Sequence, residues 1–139
     1  AAYVMIPPAY DAPDMRTSQA QFGSAIAAAI VRSGVRRVVN LSSVGAELAV
    51  GTGPIAGLHE QEERLNALAS IDLLHLRAGY FMENHLHAAG TIAALGVYAS
   101  LERPDVAVPM VATPDIAAVV VRELLDAGTR GVLHLHAPS

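Results

Sequence analysis

The sequence predicts an α/β fold built on a mostly parallel sheet flanked by helices. Two observations carry this reading. Short apolar runs that do not alternate with polar residues recur at 3–6, 38–41, 72–76 and 132–136, as expected of strands covered on both faces. Segments with helical spacing and recognisable start and stop residues separate them. Strand and helix in alternation imply parallel strands joined by helical crossovers, which should be right-handed.

The elements follow in order. Tyr3-Val4-Met5-Ile6 reads as a buried strand stopped by Pro7-Pro8, and a polar stretch with turn formers Asp11, Pro13 and Asp14 comes next. A helix is predicted over 15–33, where Gln19, Phe22, Ile26 and Ile30 fall at three-to-four spacing and Gly34 is a stop. Arg36-Arg37 lead into a second strand, Val38-Val39-Asn40-Leu41, which ends at Ser42-Ser43. Residues 44–53 form a loop of small residues containing Gly45, Gly51 and Gly53, and Pro54 suits the first position of the next helix. Ile55, Leu58, Glu62, Leu65 and Leu68 trace one stripe of that helix.

A third strand is predicted over 72–76, ending at Arg77-Ala78-Gly79. A helix from Phe81 or Met82 to Ala94 is expected next, with Gly96 just beyond it, and then a short strand at 106–111. Thr113-Pro114-Asp115 marks a helix start, with Thr as N-cap, Pro at N1 and an acid in the first turn. That helix runs to Asp126 before Gly128, and 132–136 is the last strand. With no internal repeat and no linker, residues 1–139 read as a single domain.

Composition removes several chemistries. The nine Lys+Arg residues are all arginine, and cysteine is also absent. A thiol nucleophile, a Cys-ligated metal, a Schiff-base lysine and a P-loop lysine are therefore excluded. A hydrophobic fraction of 53% supplies a buried core, and 16% charged residues argues against disorder. The net charge of −4 opposes a nucleic-acid binder, which should be basic. The apolar run 25–31 falls short of the ~18 residues of a membrane span. No membrane partner is expected, and a cytoplasmic location is.

Candidate site residues gather at strand ends, where ligands of open α/β sheets bind. Ser42 and Ser43 can donate a hydroxyl to a ligand oxygen or cap the following loop. Pro7 and Pro8 stiffen the chain and form either a wall beside a flat ligand or a strand terminator. Gly79 permits close backbone approach, Tyr80 and Phe81 can border a planar ligand, and Glu83 and Asn84 stand beside them. His59 and Glu63 share a helix face as an acid/base or orienting pair. Glu60, Glu62 and Glu63 also read as a solvated charge run. His85-x-His87 would point apart on a helix, and His134-x-His136 would share a strand face without a third ligand, so no metal site is expected. His75, inside a strand, reads as a core histidine.

These residues resemble a known family. Val38 to Ser43, Gly53-Pro54, His59 with Glu63 and Leu65, and above all Leu76-Arg77-Ala78-Gly79-Tyr80-Phe81-Met82-Glu83-Asn84 are similar to the NmrA-like family, an atypical branch of the short-chain dehydrogenase/reductases. The resemblance covers nearly the whole chain. It implies a Rossmann-like fold and a nicotinamide dinucleotide cofactor, NADP or NAD, with NADP favoured. It also implies an NAD(P)H-dependent oxidoreductase that passes hydride to quinone-like or small conjugated carbonyl substrates. The alternative within the family is a redox sensor that binds NAD(P) without turnover and engages a regulatory protein partner; a homodimer is also expected. Carried over by residue, Ile6, Pro7 and Pro8 would lie along the cofactor. Ser42, Ser43, His59, Gly79, Tyr80 and Phe81 would border its nicotinamide end, Tyr80 and Asn84 would meet substrate, and His59 would be the catalytic proton carrier.

Two departures stand out. His59 and Glu63 occupy the places of the superfamily's catalytic tyrosine and lysine. An imidazole can shuttle a proton near neutral pH, while a carboxylate cannot replace the lysine. The glycine-rich turn that cradles a pyrophosphate is also missing. In the parent strand order 3-2-1-4-5-6 the chain starts at the fourth strand, so it is read as the C-terminal portion of a longer domain. Its first strand is then expected to leave an apolar edge unpaired, and binding of a whole dinucleotide is expected to be weak.

Overall fold

The computed structural model describes residues 1–99, 103, 105–126 and 128–137. Its main sheet has four parallel strands: β1 (Ala2–Val4), β2 (Arg37–Ser43), β3 (Asp72–Ala78) and, after two short strands described below, β6 (Gly131–Leu135). Their spatial order is β1-β2-β3-β6. The register aligns Val4 with Asn40, Ser42 with Arg77, and Arg77 with His134. Valine and leucine fill the middle strands, where branched side chains pack well on a pleated surface. Val38, Val39, Leu74 and Leu76 lose all solvent exposure, each worth about 1.5–3 kcal/mol of burial.

Alternation along the strands sorts the core into two layers. Val39, Leu74, Leu76 and Ala78 pack with Ile116 and Val120 on one face. Val38 packs with Ile30 and Leu65 on the other. Helices α1 (Met15–Ser33) and α2 (Ala56–Asn66) thus cover one face, and α4 (Thr113–Asp126) covers the opposite one. The Asp14 carboxylate caps α1 by accepting from the backbone N–H groups of Arg16 (2.9 Å) and Thr17 (3.3 Å), and Gly34 ends the helix at a φ of 66°. No helix among the described residues is long and apolar enough to cross a membrane.

Several expectations are corrected. Phe22 is exposed because α1 turns Gln19, Gly23 and Ile30 inward instead. A side chain at Gly23 would clash with Gln61 and Arg64 of α2, and one at Gly57 would clash with Gln19 of α1. Close helix approach, not apolar periodicity, therefore sets that face.

The predicted helix from residue 81 starts later. Tyr80–Phe81 form β4, residues Met82–Ala88 a 3₁₀ helix, and only Ala89–Leu95 an α-helix, α3. The predicted strand at 106–111 shrinks to β5 (Met110–Val111), which pairs in parallel with β4 as a separate two-stranded sheet. Thr113 is the first residue of α4 and not its N-cap. The Glu83 carboxylate reaches across to accept from its backbone N–H (2.9 Å) and its hydroxyl (2.8 Å).

Candidate functional site at the carboxyl end of the sheet

The strands β1, β2 and β3 end side by side, and a cavity of about 510 Å³ opens beyond them. Ile6, Pro7 and Pro8 form the wall after β1. Ser42 and Ser43 end β2, and Gly79, Tyr80, Phe81 and Asn84 close the side after β3. The three strand-end clusters thus meet at one place. A larger groove of about 640 Å³ lies at the opposite end of the sheet, beside Arg36 and Asp72. There the Asp72 carboxylate already pairs with Arg37 and Arg130. In a parallel sheet the carboxyl end is where ligands gather, and there the aromatic side chains also lie.

Two α-helices and the 3₁₀ segment complete the cavity with residues that strand-end reasoning does not find. Met15 and Gln19 come from α1, Leu58 from α2, and His87 from the 3₁₀ segment. Gln19 lay on the predicted inward stripe of its helix, so periodicity placed it in the interior without assigning it to the cavity. The sequence pattern offers His87 only as half of a metal pair. Its partner His85 turns elsewhere: its ring lies 5.5 Å from that of Tyr80, its Nδ1 pairs with the Tyr98 hydroxyl, and its Nε2 donates towards Met110 Sδ (3.5 Å). Among the described residues no cluster of three or more His, Cys, Asp or Glu side chains is arranged to hold a metal ion.

His59 stands next to Leu58 but is not among the cavity-lining residues. Its Nδ1 donates to the Ala46 carbonyl (2.8 Å), and its Nε2 lies 3.5 Å from Glu63 Oε1. The shared face expected for His59 and Glu63 is therefore formed.

Gly79 makes a close backbone approach, though to its own chain. A Cβ there would lie 2.4 Å from the Pro109 carbonyl oxygen. The absent side chain lets the Tyr80 N–H donate to that carbonyl (2.8 Å) while the Gly79 N–H donates to Leu135 (2.9 Å).

Glu62 does not join its neighbours in a solvated charge run. It is buried, and Arg77 grips it with two hydrogen bonds, Nε to Oε1 (3.0 Å) and a terminal nitrogen to Oε2 (2.6 Å). Ser42 Oγ donates to the same carboxylate at 2.5 Å. Burial alone would raise the Glu62 pKa, but the hydrogen bonds from Arg77 and Ser42 outweigh it and hold the group below its ordinary range. A signal for this existed in the sequence, since Glu62 falls on the inward stripe of α2 and Arg77 stands one residue before the end of β3.

No protein-family model and no curated protein matches the chain. Solved structures do. The Bordetella bronchiseptica enzyme WbmG in complex with NAD is 16% identical with a TM-score of 0.69, over 96% of this chain and 50% of that one. The same enzyme in complex with NAD and UDP gives a TM-score of 0.67 at 16% identity over the same shares. A UDP-N-acetylglucosamine 4-epimerase from Methanobrevibacter ruminantium M1, in complex with UDP-N-acetylmuramic acid, is 14% identical with a TM-score of 0.66, over 96% of this chain and 54% of that one. The chain spans about half the length of these structures, and at such identities the likeness is one of fold: a Rossmann-like, mostly parallel sheet flanked by helices.

Proposed function

We propose that this chain supplies the nicotinamide and substrate side of an NAD(P)H-dependent oxidoreductase acting on quinone-like or small conjugated carbonyl compounds. The observation that carries the reading is the convergence of Pro7, Ser42, Gly79, Tyr80 and Phe81 on one cavity at the carboxyl end of a parallel sheet. Two of the similar structures hold NAD, which supports the same class of cofactor here.

The lining fits one end of such a cofactor better than the other. Its walls are mostly proline, aliphatic and aromatic side chains, with Gln19, Ser42, Ser43, Asn84 and His87 as polar groups and no arginine among the described lining residues. Such a surface suits a flat uncharged ring and ribose. A pyrophosphate asks for cationic groups or free helix N–H donors, and at the start of α1 the Asp14 carboxylate already takes those of Arg16 and Thr17.

The bound dinucleotide would supply the hydride, leaving the protein to orient the acceptor and deliver a proton. Tyr80 and Asn84 border the acceptor. Two imidazoles are candidates for the proton: His87, which lines the cavity, and His59, one residue behind Leu58. The test is NADPH and NADH oxidation by the full-length protein against a panel of quinones. Turnover is expected, and His87→Ala or His59→Ala should lower it about 100-fold if that ring is the proton donor. A variant with unchanged turnover removes its histidine from the role. Cofactor binding without turnover on any quinone favours the sensor reading, and absence of both rejects the proposal.

A further inference from the structure

β2 carries two serines to the cavity: Ser43 donates its hydroxyl to the Val44 carbonyl (3.0 Å), and the hydroxyl of the buried Ser42 is committed to a carboxylate. A serine hydroxyl has one proton to donate and two lone pairs to accept with. Ser42 Oγ lies 2.5 Å from Glu62 Oε1, and both residues are buried, at 3% and 5% exposure. A carboxylate can only accept, so the serine must be the donor in this contact.

Arg77 makes the arrangement rigid. Its guanidinium binds both oxygens of Glu62 in bidentate fashion and extends a third nitrogen to Glu47 (3.2 Å). That fork keeps Glu62 ionised and fixes its plane. β2 and β3 hold the two ends of the chain of bonds in register, because Ser42 and Arg77 are direct neighbours across the ladder. With the serine proton turned towards Glu62, only lone pairs are left for the cavity.

We propose that Ser42, oriented by Glu62 and Arg77, is a hydrogen-bond acceptor in the cavity and selects a ligand group that donates, an alcohol hydroxyl or an amide N–H, over a carbonyl oxygen. Glu62 and Arg77 are positioning residues, and Ser42 is the residue that sets specificity. This rests on the cavity being the substrate site, and it departs from both sequence readings of Ser42, as a donor to a ligand oxygen and as a cap of the following loop. A carbonyl substrate is then polarised from another wall, the one carrying Tyr80 and His87, and its alcohol product is the form that Ser42 holds.

The experiment uses the whole protein with a matched pair of fragments, 1-phenylethanol and acetophenone, titrated by NMR. Wild type is expected to bind the alcohol about tenfold more tightly than the ketone. Ser42→Ala, which leaves the Glu62–Arg77 pair intact, should bring the ratio close to one. Glu62→Gln should reverse it. The Gln oxygen will turn to Arg77 and its N–H₂ to Ser42 Oγ, which frees the serine proton for the cavity. Circular dichroism establishes that each variant is folded.

A ratio near one in wild type, or a ratio unmoved by Ser42→Ala, overturns the inference while leaving the cavity a binding site. A folded Glu62→Gln protein that keeps the wild-type preference overturns the positioning role. Failure of both fragments to bind rejects the site, and the inference with it.

Discussion

His75 shows how a single buried side chain couples this fold to pH. Its ring is almost fully buried in β3, where Asn40 Nδ2 donates to its Nδ1 (3.1 Å) and its Nε2 donates to Asn66 Oδ1 (3.1 Å). Such a ring is satisfied while neutral, as expected from the sequence for a core histidine. Burial pushes its pKa below the ordinary 6.5; the nearby Glu62 pulls it up, and Arg77 adds to the depression. The folded state therefore binds this proton less readily than the unfolded chain. Its stabilising share is complete above about pH 6.5 and is lost as pH falls from there through the lowered pKa. Glu62 acts in a second, more acidic window, with its share present above its ordinary 4.5 and lost as pH falls through its own lowered value. The midpoint of thermal unfolding, followed by circular dichroism from pH 8 to pH 3, should drop in two stages on acidification. His75→Gln should abolish the first stage and leave the second, and a two-stage profile in that variant would refute the assignment.

At the scale of elements, the turn from β3 into β4 is where the carboxyl end of the sheet depends on one missing side chain. Gly79→Ala drives a methyl group against the Pro109 carbonyl, backbone that cannot rotate away. A loss of stability of about 1–3 kcal/mol is expected, and the β4–β5 pairing that presents Tyr80 and Phe81 should weaken with it. A variant as stable as wild type in urea unfolding would contradict this account of the glycine. The same turn shows what the sequence could disclose. It marked Gly79 as a position of close approach, but a glycine cannot say whether its neighbour is a ligand or a distant proline of the same chain. The two central strands, β2 and β3, were legible because their apolar runs report burial directly, whereas β1 and β6, which the same pattern reads as buried, lie at the sheet's edges and leave Tyr3 and Val132 exposed. The 3₁₀ segment over Met82–Ala88 was not, because its residue types also suit an α-helix. The sequence places Glu83 beside the site, whereas its carboxylate binds the start of α4, thirty residues away along the chain.

On the scale of the whole molecule, the four-stranded sheet leaves the outer edge of β1 without a partner strand among the described residues. Nine arginines are the only fixed cations, and none of the described ones lines the cavity. An intact dinucleotide should therefore gain little from its phosphates here, and calorimetry is expected to give a Kd for NADPH above about 100 µM for these 139 residues. A low-micromolar value would show that this chain holds the pyrophosphate as well. The cavity itself was only partly legible. Three strand ends announced it in the sequence, but Gln19, Leu58 and His87 join it through helix packing that no local pattern encodes.

Whether the carboxyl end of the sheet receives a nicotinamide ring is decided by titrating the protein with reduced nicotinamide mononucleotide and following its amide NMR signals. The largest shift changes are expected on Ile6, Ser42, Ser43, Gly79, Tyr80 and Phe81. Shifts centred instead on Arg36, Asp72 and Arg130 at the opposite groove, or no shifts at millimolar ligand, would contradict that placement of the ring.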